Sequence, residues 1–105
     1  MLKEFFINID SEQAEKLDMI EVKAKMYGYE LKIAQSNYPC LYFEKDWIEA
    51  FYIYRNPIKE ANNNWIIGAD SDEYFNKIYE YHQTFNLGLL NLKTTEMIQL
   101  ISDIL

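Results

Sequence analysis

The sequence contains one cysteine, Cys40, and one histidine, His82, and these two residues are its one possible pair of catalytic nucleophile and base. Cys40 follows Pro39 at the start of a predicted strand, and His82 lies on or beside the apolar stripe of a predicted helix. The sequence places no helix N-terminus near Cys40 that would lower the pKa of its thiol. Because a free cysteine is most often buried as a small apolar residue, packing is the favoured role of Cys40. We therefore expect a protein that is not an enzyme.

The densest carboxylate cluster is Asp70-Ser71-Asp72-Glu73. Its oxygens could hold a hard cation, but acidic residues are also favoured in the first turn of a helix, and the spacing of a calcium loop is missing. Gly28, Gly68 and Gly88 lie too far apart for a loop that cradles phosphate. A single cysteine excludes an intramolecular disulfide and a cysteine-built zinc site. The sequence predicts no cofactor and no metal.

The charge balance restricts the partners that the chain could bind. Seventeen acidic residues against ten basic ones give a net charge of −7. This field repels nucleic acid and favours a basic surface, although it also keeps a protein in solution. No apolar run approaches the roughly 20 residues that span a bilayer. The N-terminus does not resemble a secretory signal, so we expect a cytoplasmic protein that binds neither nucleic acid nor membrane.

The residues that could bind a partner depend on elements that the periodicity predicts. Asp10 and Gln13 have capping-box spacing and open a helix over about 11–27, which Gly28 ends. Its apolar face consists of Ala14, Leu17, Ile20, Ala24 and Tyr27. The short apolar run 5–9 before it is plausibly an edge strand.

Two further helices are predicted near the C-terminus. Asp70 and Glu73 open one over about 71–86, and Thr94 or Thr95 caps the last. The stripe of the first consists of Tyr74, Phe75, Ile78, Tyr79, His82 and Phe85. The stripe of the second consists of Met97, Ile98, Ile101, Ile104 and Leu105.

Four strands lie between these helical segments. Alternation with a period of two predicts strands over 29–34, 40–44, 47–55 and 65–69, with a turn at Ser36-Asn37-Tyr38-Pro39. Short connections favour an antiparallel meander over about 29–69. The sequence therefore predicts one α+β domain over 1–105, with the helices mainly on one face of the sheet.

Strand alternation sorts the side chains between the two faces. The residues predicted to face the helices are Leu31, Ile33, Leu41, Phe43, Phe51, Ile53, Trp65 and Ile67. The residues predicted to face outward are Glu30, Lys32, Tyr42, Glu44, Ala50, Tyr52, Tyr54 and Ile66. Phe51-Tyr52-Ile53-Tyr54 is apolar or aromatic on both faces, whereas a strand with one solvated face normally carries polar residues at every second position.

Three explanations of Tyr52 and Tyr54 remain open: ordinary cross-strand packing, burial under a helix, and a docking patch. Tyrosine supplies large contact area and is enriched in interface hot spots. The predicted partner-binding residues are Tyr42, Glu44, Tyr52, Tyr54, Glu30, Glu49 and Ile66.

The functional hypothesis is a non-enzymatic protein-binding domain, an inhibitor or regulator that acts on a basic partner. Residue types with AT-rich codons are abundant, which suggests a low-GC bacterium or its mobile elements as the source. Small acidic domains of this general character include immunity proteins and anti-defence proteins such as anti-CRISPRs. The alternative hypothesis is a structural or adaptor protein that forms a homodimer through the sheet face that carries Tyr42, Tyr52 and Tyr54.

Overall fold

The computed structural model describes residues 1–34, 39–57, 64–81 and 92–105, which form an α+β fold. The elements are α1 (Leu2–Phe5), α2 (Ser11–Met26), β1 (Tyr29–Ala34), β2 (Cys40–Lys45), β3 (Ile48–Arg55), β4 (Trp65–Gly68), α3 (Asp72–Tyr81) and α4 (Thr94–Ile104).

The four strands form one antiparallel sheet in the order β1-β2-β3-β4. The predicted meander is therefore confirmed, and each strand lies within one residue of its predicted bounds at both ends. Of the predicted turn before β2, residues 36–38 lie outside the described part of the chain.

One face of the sheet and the helices share a single hydrophobic core. Leu41, Phe43, Phe51, Ile53 and Ile67 are buried on the sheet side, as alternation predicts. The helices contribute Leu17 and Ile20 from α2, Tyr74 and Ile78 from α3, and Met97, Ile98, Leu100, Ile101 and Ile104 from α4. Ile33 was predicted to face the core but is exposed, because burial decreases along β1 from Tyr29 to Ala34.

The predicted N-terminal edge strand is wrong. Residues 2–5 form the short helix α1, and the backbone N–H of Leu2 donates to Glu21 Oε1 of α2 at 2.9 Å. Phe6 is fully buried, and its ring lies 4.5 Å from the Trp65 ring centroid to centroid. A short apolar run has no periodicity that separates strand from helix, and tertiary packing decided between them here.

The first predicted helix is confirmed as α2. Asp10 Oδ1 accepts from the Gln13 backbone N–H at 2.8 Å, and Gln13 Oε1 accepts from the Asp10 backbone N–H at 3.0 Å, which completes the capping box. Gly28 has a positive φ of 83°, the conformation that glycine tolerates after a helix. Tyr27 was predicted to face the core and is instead exposed at the end of the helix.

The starts of α3 and α4 differ from the predicted caps. The hydroxyl of Ser71, rather than Asp70, accepts from the Tyr74 backbone N–H, at 3.4 Å. Thr94 and Thr95 use their hydroxyls elsewhere, since Thr94 accepts from the Trp65 indole N–H and Thr95 from the Gln13 side-chain amide, each at 3.0 Å. Both hydroxyls that could cap α4 are therefore hydrogen-bonded to residues outside this helix.

The stripe of α3 is partly confirmed. Tyr74 and Ile78 are buried, whereas Phe75 and Tyr79 are exposed. His82 and Phe85, and residues 82–86 of the predicted helix, lie outside the described part of the chain. Within residues 1–34, 39–57, 64–81 and 92–105, no helix is long and apolar enough to cross a membrane.

Candidate functional site

Three tyrosines lie side by side on the sheet face opposite the core. Tyr42 on β2 is directly opposite Tyr52 on β3, and their ring centroids are 5.7 Å apart. Tyr54, two residues farther along β3, stacks on Tyr52 at 6.2 Å with 14° between the ring planes. All three side chains are half-buried. The cross-strand packing that the sequence left open is present, and each ring keeps an exposed part.

Gly68 on β4 supports the middle ring of this row. It lies opposite Tyr52, and a Cβ added to Gly68 would lie 2.6 Å from both Cζ and Oη of Tyr52. The phenol ring therefore extends across the backbone of β4, which only glycine leaves open to it. Ile66 is half-buried opposite Tyr54 and borders the row on the same side.

Three carboxylates cross the same face beside the tyrosines. Glu44 on β2 lies between Glu30 on β1 and Glu49 on β3, because it is the registered partner of both. Lys32 Nζ lies 2.8 Å from Glu44 Oε2, and this hydrogen bond raises the pKa of the Lys32 ammonium. Like charges directly opposite each other destabilise a sheet. Lys32 thus compensates part of the repulsion among the three carboxylates, and the remaining repulsion lowers the stability of the sheet.

The phenols of Tyr42 and Tyr52 stay protonated at neutral pH. A hydrogen bond with the Cys40 thiol raises the pKa of Tyr42 to about 12. Burial, followed by the negative charge of Asp70, raises the pKa of Tyr52. Both hydroxyls are therefore available as hydrogen-bond donors and acceptors to a partner.

Cys40 lies in the same row and is buried opposite Tyr54. Burial is the main cause that raises the pKa of its thiol, and a raised pKa leaves less of the nucleophilic thiolate. His82, the possible base for Cys40 in the nucleophile–base pair, lies outside the described residues.

The hairpin between β2 and β3 carries a residue that sequence reasoning placed in the third strand. Lys45 pairs with Ile48, so Asp46 and Trp47 form a two-residue turn with φ of 54° and 66°. Positive φ at both positions defines a type I′ turn, which favours Asp-Gly or Asn-Gly. Trp47 is 97% exposed and Ile48 63% exposed. Because the turn lacks the usual glycine, nothing in the sequence separates Trp47 from the strand that follows it.

A small cleft connects this turn with the carboxylates of the sheet. Its volume is about 200 Å³, and Gly28, Glu30, Glu44, Asp46 and Trp47 line it. The hairpin tip and two of the predicted site residues therefore form one continuous surface.

The predicted outward position of Ala50 is wrong. Phe43 pairs with Phe51 and Glu44 pairs with Glu49, so Ala50 is the extra residue of a β-bulge. It is buried in the core, and the bulge shifts the register by one residue. As a result, Glu49 faces Glu44 on the outer side.

The remaining sequence-level cation candidate behaves as a helix start. Asp72 and Glu73 occupy the first turn of α3, where the helix dipole favours carboxylates. Within the part of the chain that the structure describes, no group of three or more histidine, cysteine, aspartate or glutamate side chains could hold a metal ion.

No family model, no curated protein and no solved structure matches the chain.

Proposed function

We propose that this chain is a non-enzymatic protein-binding domain, an inhibitor or regulator that docks on a basic surface of another protein. The docking surface consists of the outer sheet face (Tyr42, Tyr52, Tyr54, Ile66, Glu30, Glu44 and Glu49) and the hairpin tip (Asp46 and Trp47). We call the first part the tyrosine face and the second part the tip.

The observation that carries the proposal is Trp47. A type I′ turn favours glycine at this position, and a non-glycine residue in the left-handed region costs about 1 kcal/mol. The tryptophan side chain recovers little of this cost by packing, because it is 97% exposed. Tryptophan is enriched among residues that dominate binding energy at interfaces. Such a side chain is suited to fill an apolar pocket on a partner.

The tyrosines supply the flat contact area around this anchor. Their rings are fixed by contacts with each other and with the backbone at Gly68, so binding orders few additional rotors. Tyrosine also combines apolar area with a polar tip that tolerates a wet interface.

The carboxylates set the preferred charge of the partner. Glu30, Glu44 and Glu49 on the face and Asp46 at the tip outnumber the adjacent Lys32 and Lys45. The whole chain carries a net charge of −7, which accelerates encounter with a positive surface. Occupying a basic surface would block whatever else binds there, as small immunity and anti-defence inhibitors from mobile elements do.

Charge reversal on the face tests this proposal. The tagged chain is used to capture proteins from a lysate of its source organism, and Glu44→Lys with Glu49→Lys should lose a partner that elutes at moderate salt. Glu15→Lys with Glu80→Lys makes the same change in net charge at exposed positions on α2 and α3. If both double variants lose the partner equally, net charge rather than this face determines binding, and the proposed surface is wrong.

A further inference from the structure

The helix α2 has apolar side chains on two opposite faces. Leu17, Ile20 and Ala24 are buried in the core. Met19, Val22 and Met26 are 71%, 59% and 77% exposed on the other side. A surface helix normally carries polar residues there. Three large apolar side chains in one exposed row indicate an interaction surface.

The spacing of this exposed row is that of a coiled-coil seam. Met19, Val22 and Met26 follow each other at intervals of three and four residues, which keeps them in line along the helix. Methionine is flexible and polarisable and adapts to an imperfectly matched surface. The apolar surface continues beside Met19 into a groove of about 460 Å³, where Ile20 and Ile98 lie between α2 and α4.

The charges beside the seam point to its occupant. Asp18 and Lys25 each lie one residue before a methionine of the seam, on the same flank of the helix. Asp18 Oδ1 lies 3.3 Å from Lys3 Nζ, and Lys25 Nζ lies 3.9 Å from Glu21 Oε2. Asp18 and Lys25 are 59% and 71% exposed, and ion pairs of such exposed groups contribute little stability. Residues of one flank meet each other when two such helices pair antiparallel. Asp18 of each copy would then face Lys25 of the other copy, twice by symmetry.

The second flank is compatible with the same arrangement. It carries Lys16 and Lys23, and these lysines are directed to groups of their own chain. Lys16 Nζ lies 3.9 Å from Glu12 Oε1, and Lys23 Nζ donates to the Ser102 carbonyl at 3.0 Å. An antiparallel pairing replaces only the exposed ion pairs of Asp18 and Lys25, whereas a parallel pairing would require Lys23 to leave the part-buried Ser102 carbonyl in order to meet Asp18 of the other copy.

We infer that two copies of this chain associate through antiparallel pairing of their α2 helices along Met19, Val22 and Met26. The surface differs from the tyrosine face and leaves that face free on both copies. The area that three exposed side chains and a neighbouring groove can bury is smaller than the roughly 800 Å² per partner of a standard interface. We therefore expect a weak dimer. The partner of α2 is thus a second copy of the chain, whatever the tyrosine face binds.

Sedimentation equilibrium from about 10 μM to about 1 mM tests the inference, and we expect a reversible monomer–dimer equilibrium in this range. Val22→Glu, at an exposed helical position, should weaken dimerisation at least about tenfold without loss of helical circular dichroism. Tyr52→Ser with Tyr54→Ser should leave dimerisation unchanged. A strictly monomeric chain would overturn the inference, and so would self-association that only the tyrosine variant abolishes.

A charge swap tests the orientation of the pair. Asp18→Lys and Lys25→Asp should each weaken the dimer about tenfold, because each replaces two attractive contacts with two repulsive ones. The double variant restores the attraction in an antiparallel pair and should regain wild-type association. A double variant as weak as the single variants contradicts the antiparallel arrangement.

Discussion

The phenol ring of Tyr52 extends over Gly68, so that one side chain bridges β3 and β4 on the outer face of the sheet. The Cζ and Oη atoms of Tyr52 occupy the space that a Cβ at position 68 would need, at 2.6 Å. This contact fixes the middle of the row Tyr42–Tyr52–Tyr54. The smallest residue of β4 and one of the largest of β3 are therefore matched in size.

Gly68→Ala should displace the ring of Tyr52 and disturb the whole row. We expect a loss of about 1–2 kcal/mol in the free energy of unfolding, because the tip of the ring has to move. Urea denaturation measures the loss, and Tyr52→Ala in the same background should remove most of it. If Gly68→Ala lowers the free energy of unfolding equally with and without the Tyr52 ring, the contact between the two residues does not cause the loss.

Alkaline conditions should destabilise the protein beyond ordinary charge repulsion. Burial and a 2.7 Å hydrogen bond with the Tyr74 hydroxyl raise the pKa of Tyr29, and the bond with Cys40 raises that of Tyr42 to about 12. The unfolded chain loses these protons near pH 10. The stabilising contribution is therefore complete below about pH 10 and is lost as the pH rises, by about pH 12 for Tyr42 and at still higher pH for Tyr29.

Urea denaturation at a series of pH values checks this prediction. Tyr29→Phe should make the alkaline loss shallower, and should cost about 1–3 kcal/mol at neutral pH because the buried Tyr74 hydroxyl loses its partner. A stability profile that stays flat to about pH 12 would contradict the raised values.

Thr94 should matter through Trp65 rather than through capping. Its hydroxyl accepts from the indole N–H of the largest fully buried side chain at 3.0 Å. Thr94→Val keeps the shape and removes the acceptor, so we expect a loss of about 1–2 kcal/mol. Thr95→Val is the matched control, because its hydroxyl bonds only an exposed amide, and should change stability by less than about 0.5 kcal/mol.

The sheet followed from the sequence because its signals are local. Alternating apolar residues and polar turns placed the four strands to within one residue, and Asp10 with Gln13 placed the start of α2. The outward direction of Tyr42, Tyr52 and Tyr54 followed from the same alternation.

The rest depended on contacts that are distant in sequence. The bulge at Ala50 reversed one side chain, and no pattern along β3 announces it. The segment 5–9 was assigned to a strand because nothing local shows that Phe6 packs on Trp65. Trp47 was missed because a type I′ turn without glycine lacks the signal by which such turns are recognised.

Trp47→Gly should make the protein more stable. Glycine adopts the φ of 66° at position 47 without strain, and the exposed tryptophan contributes little packing that would be lost. We expect a gain of about 0.5–1 kcal/mol in the free energy of unfolding by urea denaturation. Tyr27→Ala, at an exposed aromatic with a negative φ, offers no such gain. A destabilised Trp47→Gly variant would show that the indole packs on its own chain.

The most direct measurement of the central claim is partner capture by this stabilised variant. Wild type, Trp47→Gly and Tyr27→Ala are compared at equal concentration in a lysate of the source organism. If Trp47 anchors the docking surface, Trp47→Gly unfolds later yet loses the partner by tenfold or more, whereas Tyr27→Ala retains it. Equal capture by wild type and Trp47→Gly would contradict the assignment of the tip as the anchor.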